Sequence, residues 1–464
     1  MYALFYDLET TDRNPIGQIL NYSFILVDDD LRPIDELSGL VRISRLQLPE
    51  PGAILANRTD VIQHQKEASD YERDAMRKIS DFIWSCIRTA KGAVSFIGYN
   101  SSRFDLQYLR TSLIRNGFNP YFDQKLSPRD LLHVVQKAYL TSPEMRERVR
   151  KVREGEKKLS LSLETVSHAL GLLEGIQAHE SRADVLLTIR LAEWLKREVG
   201  LDVATYEAYE GLRLHTTAGT GAVYCAHEPQ YEMADREFAV RTPHTLLCAD
   251  HKKALWINLE RYAVRQEPSS IRWRSAQKSA FFVESQASTD RELQALARAA
   301  IKQFQGVTLN NFFRKSSCDV EQDIYRLDFQ AMDLYCRAIQ ENKKEVLAPL
   351  KAPEAKILFT RYRLAAPELN LEEPATRELF KRYAIYRYGG DLQLSRNIDE
   401  GEERSPGSHH SRLSEMVTAL EQNREAALIQ KADADLRLLQ SLEAFYRQSE
   451  VVKVAGRELL PNRR

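Results

Sequence analysis

No long hydrophobic run occurs in this 464-residue sequence; the apolar stretches are short, as in Ala93–Gly98 (AVSFIG). A helix that crosses a bilayer needs about 20 consecutive apolar residues, so a protein built on membrane-spanning helices is excluded. Met1 leads directly into the apolar stretch Tyr2–Tyr6, without a basic region, apolar core and cleavage site, and no secretory leader is expected. Charge of one sign is missing too: 66 basic residues balance 66 acidic ones, for a formal net charge of zero. That balance argues against a histone-like binder that coats DNA with a uniformly positive surface. It leaves room for a nuclease, whose site is acidic while its approach groove is basic. The five cysteines, Cys86, Cys225, Cys248, Cys318 and Cys336, are odd in number and widely spaced, and no CxxC or Cys/His cluster occurs. They argue against a disulfide framework or a zinc site, fit a reducing cytoplasm, and read as small core hydrophobes. No internal repeat is visible.

What is present is an ordinary soluble balance, 43% hydrophobic and 28% charged, over a length that suits two or three domains. The opening reads as three strands, Tyr2–Asp7, Gln18–Val27 and Leu37–Ile43, with turn clusters at Asp28–Asp30 and Arg32–Pro33. A helix follows over Ser69–Thr89, with Tyr71, Met76, Ile79, Ile83 and Cys86 at three- and four-residue spacing. Ala93–Gly98 has the character of a buried strand. Asp105–Asn116, Arg129–Leu140, Ser162–Leu170 and Ser181–Val199 all carry helical periodicity. Three strands, a helix, a strand and then helices predict an α/β layer architecture. After Gly200 the texture changes to strand-like pieces such as Thr245–Ala249 and Ala254–Leu259, with a helix over Arg291–Gln305. From about residue 352 the chain is charged and mostly helical; Glu403–Arg412 interrupts it as a polar loop, and Leu413–Arg447 suits an antiparallel helix pair. The expected domains are 1–202, 203–350 and 351–464.

Three motifs carry chemistry. Tyr6-Asp7-Leu8-Glu9-Thr10-Thr11 ends the first strand, and strand alternation puts Asp7 and Glu9 side by side on one face. Carboxylates this close repel, and one takes a proton unless a cation sits between them; Mg²⁺ supplies that cation with hard oxygen coordination. A solvated strand end is the alternative. In the second motif, Gly98-Tyr99-Asn100-Ser101-Ser102-Arg103-Phe104-Asp105, a buried strand runs into a helix. Asp105 there is either an N-cap or part of a ligand site, since strand-to-helix junctions are where α/β folds build such sites. The third is His179-Glu180-Ser181-Arg182-Ala183-Asp184. Five helical residues turn about 500°, so His179 and Asp184 converge only if His179 sits on the loop before the helix. A loop histidine with a pKa near ~6.5 accepts a proton from water. A surface histidine and an aspartate favourable to the helix dipole is the alternative.

The order D-x-E, D, H-x4-D resembles the DEDD 3′→5′ exonucleases in their histidine-bearing subclass, whose fold is like ribonuclease H. The likeness narrows further. Tyr6–Thr10, Gly98-Tyr99-Asn100 with Arg103-Phe104-Asp105, Arg129-Asp130-Leu131-Leu132, Leu48-Pro49-Glu50-Pro51-Gly52-Ala53 and His179–Asp184 look like the bacterial exonuclease I family. Asp323–Phe329 and Leu358–Arg363 resemble segments of that family's later domains. The resemblance implies a ribonuclease H-like exonuclease domain, an SH3-like β-rich domain and a C-terminal helical domain that closes a DNA groove. It implies removal of 5′-mononucleotides from the 3′ end of single-stranded DNA, in DNA repair or recombination. It implies two Mg²⁺ ions, replaceable by Mn²⁺, held by Asp7, Glu9, Asp105 and Asp184, with His179 as general base. On the same likeness Thr10 positions the terminal nucleotide, and Asn100 and Arg103 contact phosphate or sugar; a turn for Asn100 and a surface ion pair for Arg103 are the alternatives. Arg261, Arg265, Arg272 and Arg274 are candidates to line a groove, with Trp256 or Trp273 stacking a base or lying in the core. The family also implies a monomer that docks the acidic C-terminal tail of single-stranded DNA-binding protein, with Tyr206 in the docking site. In place of the arginine expected there before a Pro-Glu pair, this chain has Ser142 before Pro143-Glu144, with Arg146, Arg148 and Arg150 close by.

Two rivals stand beside this reading. A DEDD exoribonuclease needs little beyond the first domain, which the long C-terminal half argues against. A catalytically silent nucleic-acid-binding protein has no need of all five catalytic positions.

Overall fold

The computed structural model describes residues 2–15, 17–102, 104–152, 160–173, 181–208, 212–229, 239–250, 253–275, 282–309, 329–349, 353–389 and 412–459. The first unit is built on a five-stranded sheet of β1 (Ala3–Thr10), β2 (Ile19–Val27), β3 (Pro33–Leu40), β4 (Val94–Gly98) and β5 (Leu126–Asp130), in the order β3-β2-β1-β4-β5. β1 lies at the centre, antiparallel to β2 and parallel to β4, with β5 parallel to β4 at the edge. Strand alternation separates its two faces. Leu4, Tyr6 and Leu8 pack with Phe24 and Phe96 under α3 (Glu72–Ala90) and α4 (Asp105–Arg115), and the Tyr6 and Phe96 rings stack at 3.9 Å. Ala3 and Phe5 join Ile25, Val27 and Ile97 under α5 (Leu131–Thr141), α6 (Pro143–Val152), α7 (Leu163–Leu170) and α8 (Ser181–Trp194).

The edges of this sheet are where sequence and structure differ. The third strand was expected at Leu37–Ile43, whereas β3 begins at Pro33 and is exposed along its first half. An edge strand accepts proline at its first position and keeps polar side chains on the solvent side, so alternation is faint there. β5 (LSPRD) is equally polar; it takes up Arg129 and Asp130, where a helix was expected to begin, and α5 starts only at Leu131. The short helices α1 (Pro51–Ala56) and α2 (Val61–Glu67) were not anticipated.

The second sheet, of β6 (Val223–Pro229), β7 (Ala239–Ala249), β8 (Lys253–Asn258), β9 (Ile271–Ser275) and β10 (Phe282–Ala287), runs β10-β6-β7-β8-β9, every pair antiparallel. The short helix α9 (Leu214–Thr217) precedes it, and α10 (Leu259–Arg265) and α11 (Arg291–Gln303) cover one face through Leu259, Tyr262, Ala297 and Ala300. Trp256 is fully buried on the other face, edge-on to Tyr224, which makes it a core residue and not a platform for a base.

Among the described residues the remaining α-helices are α12 (Phe329–Glu341), α13 (Pro353–Ala365), α14 (Pro374–Tyr388), α15 (Arg412–Ile429), α16 (Asp433–Gln448) and α17 (Glu450–Leu459). α15 and α16 form the expected helix pair. Their shared core extends into the first unit, where Leu20, Leu46, Leu48, Ile54 and Val61 pack against Phe380, Tyr383, Leu413 and Leu442. α12 and α13 pack on one another and on Ile114 of α4. The helical unit is therefore seated on the helices and loops at the C-terminal end of β1.

Candidate active site

Asp7 and Glu9 lie on β1 on the same face as Ala3 and Phe5, at the point where the apolar pattern of that face gives way to carboxylates. α8 crosses this face and brings Asp184, in its first turn, to them. Carboxylate oxygens of Asp7, Glu9 and Asp184 all lie within 4.8 Å of one another. Asp105 is the first residue of α4, 6% exposed, and receives backbone N–H groups from Leu8 and from itself. Four of the five expected catalytic residues thus meet at the end of the central strand. The fifth, His179, and with it Arg103, falls outside the described residues; α8 begins two positions after His179.

The electrostatics follow from this crowding. Burial, then the charges of Asp105, Glu9 and Asp184, push the Asp7 carboxyl well above the ordinary range. Burial and then Asp184 raise Glu9 to about 7. Asp105 is pushed up to about 8, by burial first, with Glu9 and Asp130 adding to it against the backbone hydrogen bonds. Without a cation these groups cannot all ionise at neutral pH, because each desolvated charge raises the cost of the next. A cluster of hard oxygen donors that holds protons this strongly is the donor set that a divalent cation takes in their place.

Beside the cluster the chain makes a tight turn from Thr10 to Gln18. Thr10, 3% exposed, donates its hydroxyl to the Asp12 carbonyl at 3.0 Å and accepts Asn57 Nδ2 at 2.8 Å on its own carbonyl. Its side chain is committed to holding the turn. Thr11 Oγ1 accepts the Gln18 N–H at 2.8 Å, and Tyr108 Oη donates to the Asp12 and Asn14 carbonyls. Arg115 reaches the Gly17 carbonyl at 2.7 Å from within a buried ion pair with Glu72, to which Arg361 of α13 adds a second contact at 3.3 Å. Arg412, at the start of α15, pairs with the Asp12 carboxylate.

Asn100 takes the turn conformation that was the alternative for it, with φ of 57°. Its backbone N–H donates to Asp130 Oδ1 at 2.8 Å, while its side chain stays exposed at the end of β4. Asp130 also accepts the Ser102 N–H at 3.0 Å and hydroxyl at 2.6 Å, and caps α5 through Leu132. It thereby fixes the loop that delivers Asp105. Gly98 is required in the same loop, since a Cβ there would lie 2.5 Å from that of Ser101. Asp130, Asp12, Tyr108 and Arg412 were missed as site residues. An aspartate before Leu-Leu is a legible N-cap signal; the others depend on contacts between distant segments. Tyr206 is 7% exposed, with Lys137 Nζ 5.3 Å above its ring and Arg129 donating to its carbonyl. Among the nearby arginines, Arg148 pairs with Glu144 at 2.7 Å, Arg150 donates to Tyr139 Oη at 3.2 Å, and Arg146 reaches the Tyr139 and Leu140 carbonyls.

No protein-family model matches the chain. Exodeoxyribonuclease I of Buchnera aphidicola subsp. Baizongia pistaciae (strain Bp) is 26% identical over 200 residues, a match that spans 42% of this chain and 39% of that protein. The zinc-bound form of the E. coli exonuclease I complex with single-stranded DNA superposes with a TM-score of 0.67 at 17% identity, over 97% of this chain and 99% of that one. A moderately thermophilic exonuclease I from Methylocaldum szegediense gives 0.65 at 19% identity, over 97% and 99%. The resemblance to exonuclease I therefore runs through nearly the whole chain, and the fold is shared: a ribonuclease H-like exonuclease domain, an SH3-like domain and a helical domain.

Proposed function

We propose that this protein is a metal-dependent 3′→5′ exonuclease that degrades single-stranded DNA to 5′-mononucleotides in DNA repair or recombination. The observation that carries the proposal is the meeting of Asp7, Glu9 and Asp184 within 4.8 Å, on a fold shared with an exonuclease I solved with zinc and single-stranded DNA. Asp7, Glu9 and Asp184 would hold the metal, with Asp105 assisting from the head of α4. Two Mg²⁺ ions, replaceable by Mn²⁺, would supply charge to the scissile phosphate and acidify the attacking water. His179 accepts the proton of that water as general base, in the role the H-x4-D spacing suggests. The turn from Thr10 to Gln18 seats the terminal nucleotide, and Asn100 and Arg103 approach its phosphate or sugar.

We further propose that the chain acts as a monomer in the cytoplasm. Among the described residues Cys86, Cys225, Cys248 and Cys336 are free thiols, and no helix is long and apolar enough to cross a membrane. The three domains are proposed as 1–202, 203–350 and 351–464; α12, at the end of the second, shares a core with α13 of the third. Docking of the acidic tail of single-stranded DNA-binding protein at Tyr206 draws on the charges of Lys137 and Arg129 beside it, while Arg148 is already paired with Glu144.

The test uses a 5′-labelled single-stranded DNA beside its RNA twin, in Mg²⁺. The proposal expects a ladder that shortens from the 3′ end, confined to DNA and abolished by EDTA and by Asp7→Ala. Loss of the general base in His179→Ala should cost on the order of 10²–10⁴ in rate. Wild-type rates in both variants would sink the assignment, and trimming of RNA alone would change the substrate.

A further inference from the structure

The opposite side of the first sheet carries a second constellation. A cavity of about 610 Å³ opens where the N-terminal end of α3 and the chain after β3 face α12, the C-terminal end of α13 and the loop beyond it. Four of its lining residues are Arg42, Arg73 and Arg77 from the exonuclease unit and Arg363 from the helical unit. Several exposed arginines elsewhere have carboxylates: Arg182 pairs with Glu36, Arg241 with Glu284, Arg382 with Glu378 and Arg424 with Glu443. Among the described residues, no carboxylate lies within ion-pair distance of the four in the cavity. Glu72, which also lines it, is held by the buried Arg115 and Arg361, and the two further acids, Asp74 and Glu368, are unpaired. Four arginines against these two acids leave the lining with an excess of positive charge.

The arginines are also oriented. The Arg73 guanidinium stands 5.1 Å over the ring of Tyr362, and that of Arg42 stands 5.8 Å over Tyr71. Stacking uses the face of a guanidinium and leaves its N–H edge free, which is the geometry for bidentate donation to phosphate oxygens. Tyr71 and Tyr362 are each partly exposed, so part of each remains open to a planar group. The volume is that of a small-ligand site.

We propose that this cavity binds a nucleotide, its phosphate on Arg42, Arg73, Arg77 and Arg363 and its base against Tyr71 or Tyr362. The nucleotide comes either free, as a mononucleotide, or as part of a strand. A neighbouring cavity of about 510 Å³ shares Arg42 and Tyr71 and adds Lys66, which gives a strand room to continue. The site lies on the α3 face of the sheet, whereas Asp7, Glu9 and Asp184 lie on the α8 face, and the proposal does not depend on the catalytic reading.

The test is equilibrium binding by the full-length chain in EDTA, where no turnover occurs, so a failed nuclease assignment leaves it intact. Three probes are used: labelled oligothymidylate, thymidine 5′-monophosphate and inorganic phosphate. Arg73→Ala/Arg77→Ala should weaken the oligonucleotide, the mononucleotide or both at least tenfold; which probe is affected names the source. If a strand is the occupant, the salt dependence of its binding should fall by about 0.7 in slope per lost contact, or about 1.4 for the pair. Arg73→Lys/Arg77→Lys keeps the charge and should restore most of the affinity, which separates the site from a folding defect. Tyr362→Ala should weaken the mononucleotide and leave inorganic phosphate unchanged. Wild-type affinity and salt slope for both nucleotide probes in the double alanine variant would overturn the proposal. So would inorganic phosphate binding as tightly as the mononucleotide, because the tyrosines would then recognise nothing.

Discussion

Arg412→Met separates the helical unit from the turn beside the acidic cluster without touching the cluster itself. Arg412 and Asp12 are 400 positions apart and form a largely desolvated pair, with side-chain exposures of 17% and 4%. Methionine keeps much of the volume and removes the charge, so the Asp12 carboxylate is left buried without its cation. Breaking one side of a buried pair costs about 3–5 kcal/mol; because water reaches Arg412, about 3 kcal/mol is the figure to expect. Once the ion pair is gone the Asp12 and Asn14 carbonyls of the same turn rest on neutral hydrogen bonds, from Thr10 and Tyr108 to the Asp12 carbonyl and from Tyr108 and the Gly17 N–H to the Asn14 carbonyl. A displacement of about 1 Å in a substrate-positioning segment can lower the rate ~10²-fold. The variant should therefore lose about 3 kcal/mol in denaturant titration and between about 10- and 100-fold in kcat/KM. Burial disfavours the ionised form of the Asp12 carboxylate once its cation is gone. That group destabilises the folded chain more as pH rises, so the deficit should be smaller near pH 5 than near pH 8. Asp12→Asn/Arg412→Met supplies the cycle: if the pair is coupled, the double variant is less damaged than the two single losses summed. Additive losses within about 0.5 kcal/mol, or a wild-type rate in Arg412→Met, would refute the coupling of the helical unit to this turn.

Three further outcomes follow from the same structure. Glu9 and Asp105 hold protons up to about 7 and about 8, far above their unfolded values, so the metal-free chain should lose stability as pH rises from 6 to 8. The loss should be on the order of 2 kcal/mol in EDTA and should flatten in Mg²⁺ or Mn²⁺; a flat or rising profile in EDTA would contradict the crowding. Glu72 behaves oppositely: burial pushes its carboxyl up, but Arg115 and then Arg361 overcome this and hold it below the usual range. Its contribution is present above the unfolded pKa and lost as pH falls through the folded one, and Glu72→Gln should cost about 3–5 kcal/mol at neutral pH, read by denaturant titration. Titration of Mn²⁺ against the chain at pH 6 and 8 should show tighter binding at the higher pH with release of protons, whereas binding independent of pH would mean that the carboxylates are already ionised.

The meeting of the acidic residues was legible because its signals are local. Asp7 and Glu9 differ by the strand period, Asp105 opens a helix directly after an apolar strand, and Asp184 sits in a first turn. Each of these needs only a short window and a known geometry. β3 and β5 were misplaced for a related reason: edge strands bury little, so their sequences PIDELSGL and LSPRD carry no alternating apolar signal. Trp256 could not be assigned from composition, since a tryptophan serves a core or a base equally well; only its burial between strands decides it.

The contacts that position the cluster belong to another class. Asp12 reads as one more turn residue, and Arg412 as one more charge at the end of a polar loop, until the fold brings them together. The same holds for Glu72, which at the head of α3 looks like an acid favourable to a helix dipole, yet ties Arg115 of α4 to Arg361 of α13. Both ties end on the segment between Thr10 and Gln18, one through Asp12 and the other through the Gly17 carbonyl. Two buried ion pairs converging on one turn are expensive in desolvation, and hydrophobic replacements of similar volume would be at least as stable. Apolar contacts between the units, such as Leu48 and Ile54 against the helical core, already supply adhesion. What ion pairs add is direction: a carboxylate or carbonyl held by a guanidinium fork has one allowed position, whereas an apolar contact can slide. The long C-terminal half of the chain is therefore mechanically joined to the segment next to Asp7 and Glu9, and a substitution in α13 or α15 should register at the acidic cluster before it registers anywhere else.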